Sequence, residues 1–320
     1  VKAAVYEGPR TVTVKDAPDA KTEHPCDIIV KITATNICGS DLHMYDGRTS
    51  FESGRTLGHE NMGQVVELGS AVRKVQVGEY VVLPFNIACG FCMQCERGLT
   101  NYCLTMQPEP ALAGAADDFA DMGPYQGGQA ELLRVPYGDF NALRLGEDAA
   151  ERQSDHLMLA DIFPTGYRAT QMANVKPGDQ TIVFGAGPVG LMVTYLLTLN
   201  SLIDSVRFTG DVGVVGVFLP QDPGGAEAQS ELEAQGKVPI DSGMMWFKGQ
   251  HVGTGQAPVK KYNRALRDLI ASGKTTPGFV VSHEFSLDEA PTAYEHFDAR
   301  DEGWTQEVLH PDGHGNGHKQ

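Results

Sequence analysis

Positive charge is scarce in this sequence. Of 320 residues, only 25 are Lys or Arg against 41 Asp and Glu, a net charge of −16. A chain so balanced lacks the basic face that nucleic acid or an anionic membrane requires, so neither is expected as a partner. No apolar run reaches the ~20 residues of a membrane-crossing helix. The opening "VKAAVYEGPR" lacks the basic-then-apolar order of a secretory leader, which predicts a cytoplasmic protein. There are no internal repeats, and no cysteine follows Cys103. All six cysteines precede that point and four fall between 89 and 103. Clustering of this kind without an export signal points to metal rather than disulfides. An apolar content of 41% over this length is enough for two ordinary cores.

What is present divides at about residue 160. Before it lie short β-branched runs broken by Gly, Pro and Asp: "TVTVKDAP", "DIIVKITAT", "MGQVVELG" and "GEYVVLPF". They predict a β-rich, barrel-like domain. Residues 104–132, poor in branched residues and rich in Gly, Pro and Asp, read as a long excursion. After it, "LMLADIFPTGYRATQMANV" has helical spacing, "TIVF" is a buried strand and "TGDVGVVGVF" another; a third strand is expected in "MMWFKGQHVG". Residues 259–272 predict an amphipathic helix with Tyr262, Leu266, Leu269 and Ile270 on one face. The Gly- and His-rich end, "HPDGHGNGHKQ", with His310, His314 and His318, reads as a disordered tail.

"CGFCMQCERGLTNYC" spaces Cys89, Cys92, Cys95 and Cys103 by two, two and seven residues. Two-residue gaps turn neighbouring thiolates toward one ion, and a later fourth closes a tetrahedron, as in structural zinc sites. The competing iron–sulfur pattern continues with a three-residue gap and then Pro; here the gap is seven and no Pro follows.

Cys38 in "NICGSDLH", His59 in "LGHENMG" and Asp161 in "LADIFPTGY" are weak signals singly. Together, "CGSDLH", "GHENMGQVVELGSAV" (Gly58, His59, Glu60, Gly63, Gly69, Val72), the cysteine lobe and "GAGPVG" resemble, in order, the zinc-dependent medium-chain alcohol dehydrogenases. Within them the sequence is most similar to the glutathione-independent formaldehyde dehydrogenases, which share the Asp of "ADIFPTGY" and the excursion after the cysteine lobe. That resemblance implies an α/β fold: a GroES-like β-rich catalytic domain plus a truncated Rossmann-like domain. The implied boundaries are 1–165 for the catalytic domain, 166–256 for the nucleotide domain, 257–311 for the return and 312–320 for a tail.

The resemblance also assigns roles. Cys38, His59 and Asp161 hold a catalytic zinc with one position open, and the cysteine cage makes two zinc ions per chain. Asp41 fixes the tautomer of His59, and Glu60 sits behind the metal. Ser40 contacts the substrate oxygen and passes protons through the cofactor ribose to His43 near solvent. Hydride moves between NAD and formaldehyde or a short alcohol or aldehyde. In such enzymes the excursion folds over the cofactor. A homo-oligomer is also implied.

"GAGPVG" places Gly185, Gly187 and Gly190 in the G-x-G-x-x-G spacing between a strand and a helix, so that pyrophosphate can rest on the helix N-terminus. With Pro188, Val189, Thr165 and the "VGV" of Val215, Gly216 and Val217, these are the expected cofactor contacts. From Leu191 to Phe208 no Gly or Pro interrupts the run, and no acid follows a second strand. Asp204 and Asp211 are the nearest candidates. At ~30 residues per βαβ unit, several tens of residues are missing where the second to fourth strands belong. This raises a second reading, a zinc protein of the same fold with impaired cofactor binding and no turnover.

Overall fold

The computed structural model describes residues 1–109, 113–119, 122–176, 206–216, 237 and 240–313. It comprises two compact units, one of residues 1–164 with 258–320, the other of residues 165–257.

The first unit is organised around one long strand. After the hairpin β1 (Lys2–Gly8) and β2 (Thr11–Asp16), β3 spans Ile28–Ile37. Its run "IIVKITATNI" is nearly all branched or small, and nearly every residue is buried. Such side chains favour a strand covered on both faces. From Ile28 to Thr35, β3 pairs with antiparallel β4 (Asn61–Leu68), which pairs in turn with β5 (Tyr80–Leu83). The short strands β6 (Asn86–Ile87) and β7 (Ala115–Ala116) pair with each other, the latter inside the excursion. The other edge of β3 is shared: β8 (Leu132–Val135) takes Ile28 to Lys31. β9 (Leu143–Arg144) extends the far side of β5. Ile28, Val30, Ile32, Val65, Val81 and Leu133 fill the interior.

Gly63 of the "GHENMG" motif lies where β4 crosses β3. A Cβ there would stand 2.0 Å from the Lys31 carbonyl oxygen, so only glycine permits the approach.

The second unit, among its described residues, contains β10 (Asp211–Val214) and β11 (His251–Thr254), paired in parallel. "TGDVGVVGVF" thus contributes a strand as expected. "MMWFKGQHVG" does not form a single strand: Ser242–Lys248 is a helix and only His251 onward is extended. Asp241 caps that helix by accepting from the Met244 N–H at 2.9 Å, and Gly249, at φ 62, ends it in the left-handed conformation. Local capping outweighed the apolar run, and Trp246 is left 84% exposed.

The chain then returns to the first unit. The helix Val259–Ala271 buries Tyr262, Asn263, Leu266 and Ile270, whereas Leu269 is half-buried. β12 (His283–Ser286) pairs in parallel with β13 (Glu307–His310), and β13 occupies Thr35 to Ile37 of β3, beyond β8. His310 therefore does not belong to a tail. It is buried, its Nδ1 2.9 Å from the Thr33 carbonyl oxygen and its Nε2 3.1 Å from Glu284 Oε2. His314 and His318 lie outside the described residues. No described helix is long and apolar enough to cross a membrane.

Candidate active site and metal centres

The four sulfurs of the cysteine lobe converge. β6 leads to Cys89, the turn Met93–Glu96 presents Cys92 and Cys95, and the turn Thr100–Tyr102 delivers Cys103. Cys89 Sγ and Cys95 Sγ stand 4.0 Å apart, Cys92 Sγ and Cys103 Sγ 3.9 Å. All four lie within 4.8 Å of one another. A tetrahedral zinc with sulfurs at ~2.3 Å has sulfur–sulfur edges of about 3.8 Å, whereas a disulfide needs about 2.05 Å. The spacing is that of metal ligands, and all are free thiols.

Backbone N–H groups point at the sulfurs: Cys92 and Phe91 donate to Cys89 Sγ at 3.3 and 3.5 Å, Cys89 to Cys103 Sγ at 3.4 Å, and Leu104 to Cys92 Sγ at 3.5 Å. Burial opposes the Cys92 thiolate, but the N–H donors and neighbouring sulfurs prevail and bring it down to about 6. The donor set fits a closed zinc site.

The second cluster is assembled from distant stretches. Cys38 follows the last residue of β3, His59 and Glu60 precede β4, and Asp161 interrupts the helical stretch. "LMLADIFPTGY" is not one helix. Gln153–Leu157 and the 3₁₀ turn Met158–Ala160 end at Asp161, which has φ −149 and ψ −73, and Ile162–Met172 begins afresh. The break sets the carboxylate facing His59, with Asp161 Oδ2 3.7 Å from Nε2. One donor atom each from Cys38, His59, Glu60 and Asp161 falls within 4.8 Å of the others, and all four residues are buried.

On the other side of the imidazole, Asp41 Oδ1 lies 2.8 Å from Nδ1, and Asp41 Oδ2 accepts the Cys38 N–H at 2.9 Å. One carboxylate thus ties two would-be ligands together. Asn36 Nδ2 donates to Glu60 Oε2 at 2.7 Å. Ser40 Oγ is 3.4 Å from Cys38 Sγ.

The electrostatics of this cluster is lopsided. Four carboxylates and a thiol surround one imidazole, all in the protein interior. Burial, then Glu60, raises the Cys38 thiol to about 12. Burial, then Asp161, raises Glu60 to about 7. Burial lowers the His59 imidazolium, but Asp41, Asp118 and Asp161 outweigh it and raise His59 well above its ordinary value. Such an excess of buried negative charge suits a divalent cation, and sulfur, nitrogen and oxygen donors together suit zinc.

His43 departs from the expectation. The turn Asp41–Tyr45 carries it inward with Met44 and Tyr45, and it is 5% exposed, not near solvent. Thr165 is buried in the helix Ile162–Met172; Val215 and Gly216 follow β10 and are half-buried. Gly185, Gly187, Pro188, Val189, Gly190 and Val217 lie outside the described residues, as do "TIVF" and Asp204.

Sequence reasoning missed Asp118 and Phe119 in the excursion. Asp118 Oδ1 is 3.6 Å from His59 Nδ1, and the Phe119 ring meets His59 edge-on at 6.4 Å. Burial, with Asp41 adding to it, raises Asp118 to about 6. It also missed Lys260, whose Nζ donates to the Asn86 carbonyl beside the cysteine lobe. The only signal was the paired acid "DD" before an aromatic, in a stretch with no periodicity.

The alcohol dehydrogenase GroES-like domain model matches residues 24–144. The glutathione-independent formaldehyde dehydrogenase of Pseudomonas aeruginosa is 34% identical over 383 positions, covering 93% of this chain and 95% of the relative. That alignment is longer than the chain, so the relative holds residues without a counterpart here. The formaldehyde dismutase of Pseudomonas putida is 31% identical, covering 93% and 94% of the two chains. Among solved structures, the alcohol dehydrogenase TADH from Thermus sp. ATN1 superposes with a TM-score of 0.78 at 29% identity, over 97% of this chain and 99% of that one. The chain belongs to the zinc-dependent medium-chain alcohol dehydrogenase family, whose members are oxidoreductases.

Proposed function

We propose that this chain is a zinc- and NAD-dependent dehydrogenase acting on formaldehyde or a short-chain alcohol or aldehyde. The observation that carries the proposal is the convergence of Cys38, His59 and Asp161, three unlike donors from three distant stretches, within 4.8 Å. Residues 1–165 and 257–311 form its catalytic domain and 166–256 its nucleotide domain. Two zinc ions serve each chain, one in the cysteine cage and one on Cys38, His59 and Asp161. The chain works in the cytoplasm, as a homo-oligomer.

A zinc ion so held supplies Lewis acidity to an alcohol or carbonyl oxygen, and NAD supplies the hydride acceptor. The chain's own groups do the rest. Asp41, its Oδ1 2.8 Å from Nδ1, favours a proton on that nitrogen and so leaves Nε2 for the ligand position. Ser40, beside Cys38, positions the substrate oxygen and accepts its proton, which passes on toward His43. Glu60 stands within the donor set as a fourth donor, an oxygen that would yield its place to the substrate. Phe85 and Phe119, edge-on to His59, keep water from the ring. Thr165, the glycine turn Gly185 to Gly190 and Val215 to Val217 hold the cofactor.

The relatives bear the names of oxidoreductases, which favours this reading over a zinc protein without turnover. NADH production from formaldehyde, methanol and ethanol, with metal content and NAD binding measured on the same preparation, tests it. Two zinc ions per chain and NADH formation are expected. Two zinc ions with neither NAD binding nor turnover would overturn the enzyme assignment.

A further inference from the structure

The His59 ring has two carboxylates at the same nitrogen. Asp41 Oδ1 is 2.8 Å from Nδ1 and Asp118 Oδ1 is 3.6 Å from it, and all three residues are buried. Neither contact has hydrogen-bond geometry, so both carboxylates face Nδ1 as charges, Asp41 the nearer. Asp118 adds a second negative charge on the Nδ1 side of the ring, opposite Nε2.

Asp118 is held in place from several directions. Its Oδ2 accepts the N–H of Gly58, the residue before His59, and its own N–H donates to the Tyr125 carbonyl at 3.2 Å. Its backbone has φ 49, a left-handed conformation that Asp tolerates better than most residues, and this turn sends the side chain back toward the ring. Its neighbours grip the same region: the Asp117 N–H donates to the Phe85 carbonyl at 3.1 Å, and Phe85 and Phe119 both meet the His59 ring edge-on.

We propose that Asp118 is a second positioning residue for His59, one that fixes the ring jointly with Asp41 and strengthens the hold of Nε2 on a divalent cation. The inference rests on the assignment of Cys38, His59 and Asp161 as metal ligands. It gives residues 115–119 of the excursion a role at the metal, reached from a different part of the chain than Asp41.

The test uses the full chain and two variants. Asp118→Gly suits the left-handed backbone and removes the carboxylate. Asp118→Asn keeps an acceptor for the Gly58 N–H but turns an amide NH2 toward the His59 N–H. The rate and affinity of zinc transfer to a chromophoric chelator are measured, the cysteine-cage ion being followed separately in Asp161→Asn. Both variants are expected to surrender the dispersed-site zinc 10- to 100-fold more readily, with the cage ion unmoved and Asn no better than Gly. Full restoration by Asn would reduce Asp118 to an anchor for Gly58 and overturn the proposal, as would wild-type retention in both variants. A third divalent ion per wild-type chain, lost in Asp118→Gly, would also overturn it, making Asp41, His59 and Asp118 a cation site in their own right. A wild-type chain holding only the cage ion would overturn the ligand assignment itself.

Discussion

The cysteine cage and the Cys38–His59–Asp161 cluster solve one problem, gathering donors around an ion, in opposite ways. The cage draws every donor from residues 89 to 103 and braces its sulfurs with N–H groups of the same loop. Its geometry is nearly a local property of the chain. The dispersed cluster spans residues 38 to 161 and owes its geometry to the β3–β4 pairing, a helix break and a loop carboxylate. Local assembly gives a compact set of four like donors, fit for a closed site. Long-range assembly is more easily disturbed but leaves room for an exchangeable ligand, which chemistry requires.

Loss of a cage ligand should have the largest effect on the fold. Cys103→Ser is expected to bind one metal ion fewer and to melt on the order of 10 °C lower, because a structural ion's binding free energy is folding free energy. Calorimetry with metal analysis checks this; an unchanged melting point with two ions bound would erase the distinction between the sites. Asp161→Asn should do the reverse. Its melting point stays near that of the parent, the cage ion remains, and turnover falls about a hundredfold or more, since Lewis-acid catalysis is worth several kcal/mol. Steady-state NADH formation beside metal content reads both.

Gly63→Ala separates the sites by packing alone. Its Cβ would collide with the Lys31 carbonyl at 2.0 Å and part β3 from β4, the strands that present Cys38 and His59. A loss of about 1–3 kcal/mol in denaturant titration is expected, with the dispersed ion held less tightly and the cage ion as before. Equal weakening of both ions would show the sites to be coupled.

The smallest effect is one of pH, at β13, where Glu307 lies opposite Ile37, the residue before Cys38. Burial raises Glu307 to about 8, with Ser282 partly opposing, while the unfolded value is about 4.3. The folded chain therefore holds the extra proton between these values. The resulting stability is full below about pH 4 and is lost as pH rises through about 8. Glu307→Gln should match the parent at pH 4 and exceed it by about 1–3 kcal/mol near pH 8. Melting curves at the two pH values decide it, and a gain that is the same at both would refute the assignment.

Legibility in the sequence followed the same division. The cysteine cage was readable from spacing because its geometry is set by a few consecutive turns. β2 to β5 were readable because branched residues recur between turn formers, though β1, in "KAAVYEG", went unremarked. Cys38, His59 and Asp161 emerged only through resemblance, since nothing in their spacing says that they meet. Asp118 was invisible: its left-handed backbone and the loop closure that brings it to His59 have no local signature. "MMWFKGQHVG" misled because an apolar run cannot distinguish strand from helix, and the Asp241 and Gly249 caps decided it. His310 misled because Gly and His after it masked a buried strand end.

The shared edge of β3 has a bearing on how the molecule is made. Gln306, just before β13, donates to the Ile37 carbonyl beside Cys38, joining positions 269 residues apart. The strand that leads into Cys38 is therefore locked into its sheet by a contact of very high sequence separation, a slow one to form. Until that latch forms, the cysteine loop already has all four sulfurs at hand and the dispersed cluster does not, so the local donor set gathers before the long-range one.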